Sequence, residues 1–197
     1  LTLSNYAVNG NTSTSSSTPK GGGIEYSGGG VLSVNNCSFS NNAAGTAANN
    51  LGVGGAIDYF LANNVGAAGQ GGLIITNSTF TSNTAGAINS GAGGAIAIRI
   101  ATTQVPSTLT VTNNTFTSNV ANAAASGHGG AVMVNSAHPV TLRFNRFFNN
   151  SASGAGSGVY QPTGSGSVTD ATENWWGCNA GPGNAGCNSV GGDTAGV

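Results

Sequence analysis

Charge is what this chain has least of. Only 5% of its 197 residues are charged, four cations against five anions, where a soluble domain ordinarily carries about 25%. With no basic cluster, the electrostatic footprint of a nucleic-acid binder is missing. A net charge of −1 leaves little repulsion to oppose association between copies. His128 and His138 have no Cys, Asp or Glu at ligand spacing, so no metal or other cofactor is expected. No serine lies in a G-x-S-x-G elbow. No apolar run approaches the ~20 residues of a membrane-spanning helix. Cysteine numbers three. Cys178 and Cys187 flank the turn in CNAGPGNAGC and are expected to be bonded, a staple worth roughly 2–3 kcal/mol by loop arithmetic. That pairing points to an oxidising, extracellular or cell-surface compartment. Cys37 is left as a small unpaired thiol.

Repetition is what the chain has in quantity. Leu109–Ala121 reads LTVTNNTFTSNVA, Leu73–Ala85 reads LIITNSTFTSNTA, Leu32–Ala44 reads LSVNNCSFSNNAA and Val140–Ala152 reads VTLRFNRFFNNSA. Leu1–Ser13 fits with Val8 at the aromatic position, and Thr169–Gly181 fits at its back half. The modules begin at residues 1, 32, 73, 109, 140 and 169, in steps of 29 to 41 residues, the range of stacked repeat architectures. In each, two apolar residues alternate with polar ones, as in Leu109 and Val111, which predicts a half-buried strand. A polar bend follows, then one large apolar residue: Phe39, Phe80, Phe116, Phe147 or Trp176. Three residues later comes asparagine: Asn11, Asn42, Asn83, Asn119, Asn150 and Asn179. Asparagine suits a turn. Stacked in register, its amides also form a ladder, with the aromatic rings in a neighbouring buried column. Cys37 falls where the other modules have Ser78, Asn114 or Asn145.

A second motif interleaves with the first: GGGI at 21–24, GGAI at 54–57 and 93–96, GGAV at 129–132 and a weaker GSGV at 156–159. Paired glycines permit a tight bend and close approach of backbones. The residues after them alternate again, with Ile24/Tyr26, Ile57/Tyr59, Ile96/Ile98/Ile100 and Val132/Val134 inward. Each repeat therefore holds a GGAI strand, an LTVT strand and a short third segment near the F-x-x-N turn. Strands of equal rank pair in parallel about 4.8 Å apart. The fold expected is all-β: a single right-handed parallel β-helix (β-solenoid) of about six coils with an internal Asn/aromatic ladder. It is one domain, 1–197, in which 168–197 are a closing coil and a tail that need not be ordered. Residues 45–53 read as a flexible bulge and 60–72 as an insertion.

GGAI followed by F-x-x-N resembles the repeat of the chlamydial polymorphic outer membrane proteins. It is also similar to the secreted right-handed β-helix proteins of the pectate-lyase-like superfamily. NWWGCNAGPG at 174–183 resembles the closing segment of β-helix regions in large secreted bacterial proteins. The resemblance implies an architecture rather than an activity, since that superfamily holds lyases, hydrolases, adhesins and passive stalks.

Few residues invite a chemical role. Glu25 and Asp58 hold equivalent places after the GGAI motif and are expected on neighbouring coils, both outward. Two carboxylates ~5 Å apart match a retaining glycosidase or half of a calcium site, and the simpler reading is a pair of solvated surface acids. The same column continues as Ala97, Met133 and Tyr160, so no acidic groove extends from it. The calcium-binding G-G-x-G-x-D repeat is absent, because isoleucine stands where its third glycine is required. Arg99, Arg143 and Arg146 read as outward, solubilising charges. Thr110/Thr112, echoed by Thr2/Ser4, Ser33/Asn35 and Ile74/Thr76, resemble a broken version of the threonine array of ice-binding solenoids. Sequons place glycosylation candidates at Asn11, Asn36, Asn77, Asn113 and Asn149.

The function expected is structural or adhesive and not enzymatic, with no catalytic residue assigned. The chain begins inside a strand module and reads as a processed or partial product. Its expected partners are other copies, stacked head to tail into a filament, or adjoining parts of a longer chain. A polysaccharide-binding or polysaccharide-cleaving β-helix is the alternative, with Glu25 and Asp58 as its site; an ice-binding solenoid is the third reading.

Overall fold

A computed structural model describes residues 1–15, 17–45, 51–61, 71–86, 90–122, 126–192 and 194–195. Among these there is no helix, and every strand pairing is parallel. The chain is an all-β solenoid. The LTVT strands form a seven-stranded sheet: Thr2–Ser4, Val31–Asn35, Gly72–Thr76, Leu109–Thr112, Thr141–Arg143, Thr169–Asp170 and Thr194–Ala195. The GGAI strands form a six-stranded sheet: Ile24–Ser27, Ile57–Leu61, Ile96–Ile100, Val132–Ser136, Val159–Gln161 and Val190–Gly192.

The expected third segment is two short sheets. One is five-stranded, Ala7–Asn9 through Arg146–Phe148, with the aromatic residue at the centre of each strand from Ser38–Ser40 on. The other is also five-stranded and only two residues wide, from Thr12–Ser13 to Ser151–Ala152. Between these sheets the chain must turn within a residue or two, and it does so with left-handed backbone. Asn5, Asn36, Asn77, Asn113, Phe144 and Glu173 share one corner at φ between 51° and 63°. Asn41, Ser82, Ser118 and Asn149 share the next. Asparagine tolerates this conformation better than most residues, and it holds six of these ten corner positions, the others being Ser82, Ser118, Phe144 and Glu173. The third corner belongs to the first glycine of the GG pair, as at Gly54, Gly93 and Gly129 (φ 63° to 66°). The second glycine has a different job. A Cβ on Gly55 or Gly94 would collide with the backbone of the neighbouring coil, so the pair serves one turn and one close approach.

Two polar columns run through the interior beside the rings. In the first, Asn42 donates from its backbone N and its Nδ2 to Oδ1 of Asn83, both at 3.0 Å. Asn83 does the same to Asn119 and Asn119 to Asn150, at 2.9–3.0 Å. Each Nδ2 also donates to the carbonyl of a residue on the preceding coil: Val8, Phe39, Phe80 and Phe116. Buried amides are thus fully engaged, as burial requires. Asn11 is the exposed terminal rung, donating to Asn42. Alongside, Phe39, Phe80, Phe116, Phe147 and Trp176 stack with centroids 4.7–5.0 Å apart.

The last rung is a correction. Asn179 is exposed, and Asn150 instead donates to Asn188 Oδ1 at 2.9 Å. The cause is the Cys178–Cys187 disulfide, with Cα atoms 5.3 Å apart. It closes an excursion whose removal brings Asn188 back to its place after Trp176, and the Asn188 amide donates to the Trp176 carbonyl at 2.7 Å. The tail is likewise structured, because Val190–Gly192 and Thr194–Ala195 extend the two large sheets. The 45–53 stretch is corrected in part: Leu51–Val53 pairs with Ser90–Ala92, while residues 46–50, like 62–70 of the expected insertion, lie outside the described residues.

A second polar column was not anticipated as a ladder. Cys37 N donates to Ser78 Oγ, Ser78 N to Asn114 Oδ1, Asn114 N to Asn145 Oδ1 and Asn145 N to Asn174 Oδ1, at 2.8–3.0 Å. Cys37 is its small terminal member, a buried free thiol.

Removing the ring in mid-stack, Phe116→Ala, is expected to cost about 3–5 kcal/mol as a cavity. Asn119→Asp keeps shape but removes the donor and buries an unpaired charge, for about 3 kcal/mol or more; Asn11→Asp, on the exposed rung, should cost under about 0.5 kcal/mol. Urea denaturation of the three variants checks the contrast. Non-reducing mass spectrometry after alkylation should find Cys37 unmodified in the folded protein and alkylated once only after unfolding.

Candidate functional site

The carboxylates singled out by the sequence lie on the outward side of the GGAI sheet, in parallel register at Glu25 and Asp58. They are not an open pair. Just before each GG, the chain lays one residue back over this surface, so that Lys20, Val53, Ala92, His128 and Ala155 form a continuous row. Val53 and Ala92 pack with Ala97, Met133 and Tyr160 in a small apolar cluster outside the sheet. Asp58, expected to be outward and solvated, is completely buried. Arg99 grips it with both ends of its fork, Nε to Oδ1 at 2.8 Å and a terminal nitrogen to Oδ2 at 2.5 Å, and the guanidinium lies 4.5 Å from the centroid of Phe60. Glu25 stays exposed with Lys20 at 3.7 Å. The two acids therefore face separate cations in separate environments.

The electrostatics follow that geometry. Burial pushes the Asp58 carboxyl above its ordinary range, and the Arg99 hydrogen bond only partly opposes it. Asp170 shows the opposite case. Its hydrogen bond from Arg143, at 2.8 Å, pulls its carboxyl below the ordinary range. Glu173 joins the same arginine at 3.4 Å. Arg99 and Arg143 are thus ion-pair members rather than free solubilising charges, and only Arg146 has no carboxylate partner among the described residues. Its guanidinium sits 5.0 Å from the Trp175 ring.

The remaining candidates are dispersed. His128 stacks on Tyr160 at 4.3 Å and its Nδ1 accepts from Ala155 N; the His138 amide is tied to Ser136 Oγ. Among the described residues no three of His, Cys, Asp and Glu are grouped for a metal. The sequon residues Asn36, Asn77 and Asn113 stand exposed at one corner and Asn149 at another. Two of their side-chain nitrogens are engaged, Asn36 with Asn5 at 2.6 Å and Asn77 with Asn35 at 2.9 Å. Asn11 uses its nitrogen in the ladder. Thr110 and Thr112 align with Ile74/Thr76 and with Thr141/Arg143, so the hydroxyl rows on that sheet are interrupted on both sides. A more regular array lies on the ring-bearing sheet, where Ser38/Ser40, Thr79/Thr81 and Thr115/Thr117 are in register.

Compared with known proteins, the chain matches no family model, no curated protein and no solved structure.

The two ion pairs should respond differently to mutation and pH. Asp58→Asn strands a largely buried guanidinium and is expected to cost about 3 kcal/mol, whereas Asp170→Asn breaks a half-exposed pair for under about 1 kcal/mol. Asp170 binds its proton less readily folded than unfolded, so its contribution is present above the unfolded carboxylate range and fades as pH falls through its lowered value. Asp58 has the opposite sign: folding favours its protonated form, so its contribution declines as pH rises towards its raised value. Stability measured by urea titration from pH 3 to pH 7 should lose part of its acid-side slope in Asp170→Asn.

Proposed function

We propose that this chain is a structural or adhesive segment of an extracellular protein, with no catalytic role. In this reading it is a right-handed solenoid of about six coils, related to the GGAI/F-x-x-N repeats of chlamydial polymorphic outer membrane proteins and to the pectate-lyase-like superfamily. The observation that carries the reading is the continuous Asn column from Asn11 to Asn188. Its buried amides are spent on tying each coil to the next, which is what a stiff rod needs. The charged groups fit the same reading, since Glu25, Asp58, Asp170 and Glu173 all face cations. The Cys178–Cys187 bond supports an oxidising compartment, and no helix among the described residues is long and apolar enough to cross a membrane.

The rod continues, in this proposal, by parallel addition at its outermost strands. Among the described residues, Thr2–Ser4 and Ile24–Ser27 pair on one side only. Such edges recruit further strands unless covered, and a contact of unlike ends propagates rather than closes. The occupant is another copy or an adjoining part of a longer chain.

Electron micrographs of the purified chain are expected to show rods joined end to end, lengthening with concentration, and Ser4→Pro should stop the joining by removing an edge donor, because Leu1 and Asn5 bond towards Val31–Asn35 and leave the alternate Ser4 N–H on the open edge. Monodisperse single particles at every concentration would overturn self-assembly. Incubation with neutral and acidic polysaccharides should release no new ends; release that is lost in Glu25→Gln or Asp58→Asn would replace this reading with a polysaccharide-cleaving one.

A further inference from the structure

The outward surface of the ring-bearing sheet changes character along the axis. Three successive strands present small hydroxyls, Ser38/Ser40, Thr79/Thr81 and Thr115/Thr117. The next presents Arg146 and Phe148 in the same register, and Trp175 bridges beyond Arg146. The corner leading into that strand changes too. Where preceding coils use Asn36, Asn77 and Asn113, this one uses Phe144, at φ 57° and 56% exposed. A bulky side chain in left-handed backbone carries strain, and with more than half of the residue in solvent little burial offsets it. The fold does not demand these residues, because asparagine and threonine serve the same positions one coil earlier.

The replacements converge. The Phe148 and Trp175 rings lie 6.2 Å apart, inclined by 21°. The Arg146 guanidinium is 5.0 Å from the Trp175 centroid. With Thr115 and Thr117 they line an open cavity of about 330 Å³. Lys20, Arg99 and Arg143 each face a carboxylate, whereas Arg146 has none among the described residues, and its donors remain available.

We propose that Arg146, Phe148 and Trp175 form a glycan-binding site that takes a pyranose ring. The proposal rests on the adhesive reading above and names its ligand class. A pyranose has a flat C–H face and a rim of oxygen atoms. The face matches the exposed Phe148 ring and the half-buried Trp175 ring; the rim matches guanidinium and threonine donors. An extended peptide has no free strand edge to join here, because Arg146–Phe148 is bonded to Thr115–Thr117 on one side and to Trp175 on the other. A nucleic acid would need positive charge that the chain does not have. Arg146 suits either a hydroxyl rim or a sugar carboxylate.

The test is titration of the intact chain with a neutral cello-oligosaccharide and, separately, a glucuronate-bearing hyaluronan oligosaccharide, read by saturation transfer to the sugar protons in NMR and, where Trp175 is present, by its indole signal. Saturable binding with Kd on the order of 1 mM is expected, weakened at least about tenfold in Trp175→Ala and in Phe148→Ala. Arg146→Gln, which leaves the rings in place, should weaken binding of whichever sugar is preferred; a salt-sensitive preference for the glucuronate assigns the carboxylate, and equal binding of both assigns the hydroxyl rim. No saturable response to either sugar, or binding that survives both ring substitutions, overturns the site. Rods imaged in the same samples separate the two ideas, since rods without sugar binding refute the site and leave the structural reading standing.

Discussion

The structure depends on one repeated hydrogen-bonding constraint: each buried asparagine must place its Oδ1 under two donors of the coil before it. An amide is suited to this because it both accepts and donates along one line, so every interior member is satisfied by identical neighbours. An aspartate could accept but not pass the bond on, and a threonine is too short to reach the next carbonyl. The constraint also sets register. A strand displaced by one residue would turn its rings outward and bring its asparagine out of line, so the ladder and the ring stack exclude slippage together. What lies outside the module is free to vary, and the steps between modules accordingly range from 29 to 41 residues without disturbing the column.

The same constraint explains the disulfide. The final ring, Trp176, is followed by ten residues between Gly177 and Gly186 before Cys187 and Asn188. Left open, that loop would have to be held closed by the ladder bond alone, against its own conformational entropy. The Cys178–Cys187 bond removes this competition by joining the two ends of the excursion. Asn188 then completes the column, and its Nδ2 reaches Asn150 O and Ser157 Oγ, tying the ring-bearing side to the GSGV coil.

Much of this was legible in the sequence, because periodic features announce themselves. The parallel sheets, the inward residues after each GG, the Phe39-to-Trp176 column and the disulfide all recur or are spaced in ways that local chemistry interprets. What stayed hidden was aperiodic. Asn174 belongs to the second polar column with Asn114 and Asn145, but Ser78 and Cys37 occupy its first two levels and dilute the pattern. Asn188 stands twelve residues after Trp176 rather than three, so the F-x-x-N rule pointed to Asn179. Asp58 looked solvated because alternation within one strand cannot reveal a partner from outside it, and Arg99, which grips it, lies on the next coil's strand. Arg146 and Trp175 are deviations from the repeat, and a reading built on similarity passes over deviations.

Deviations are nonetheless where a solenoid acquires individuality. The ladder and ring stack demand sameness at inward positions, and the structure grants it from Asn42 to Asn150 almost without variation. Outward positions carry no such demand, so a change there that is sustained over several residues needs its own cause. Strain offers a way to judge which changes qualify. Glu173, in the same left-handed corner as Phe144, is compensated by its ion pair with Arg143. Phe144 has no such partner and is more than half exposed, and it stands two residues before the one cation without a carboxylate partner among the described residues. Uncompensated strain, exposed aromatic surface and an unpaired charge are each unremarkable alone on a surface of this size. Their coincidence within two adjacent coils, on a chain so sparing with charge and aromatics, identifies the part of the rod that its internal architecture does not account for.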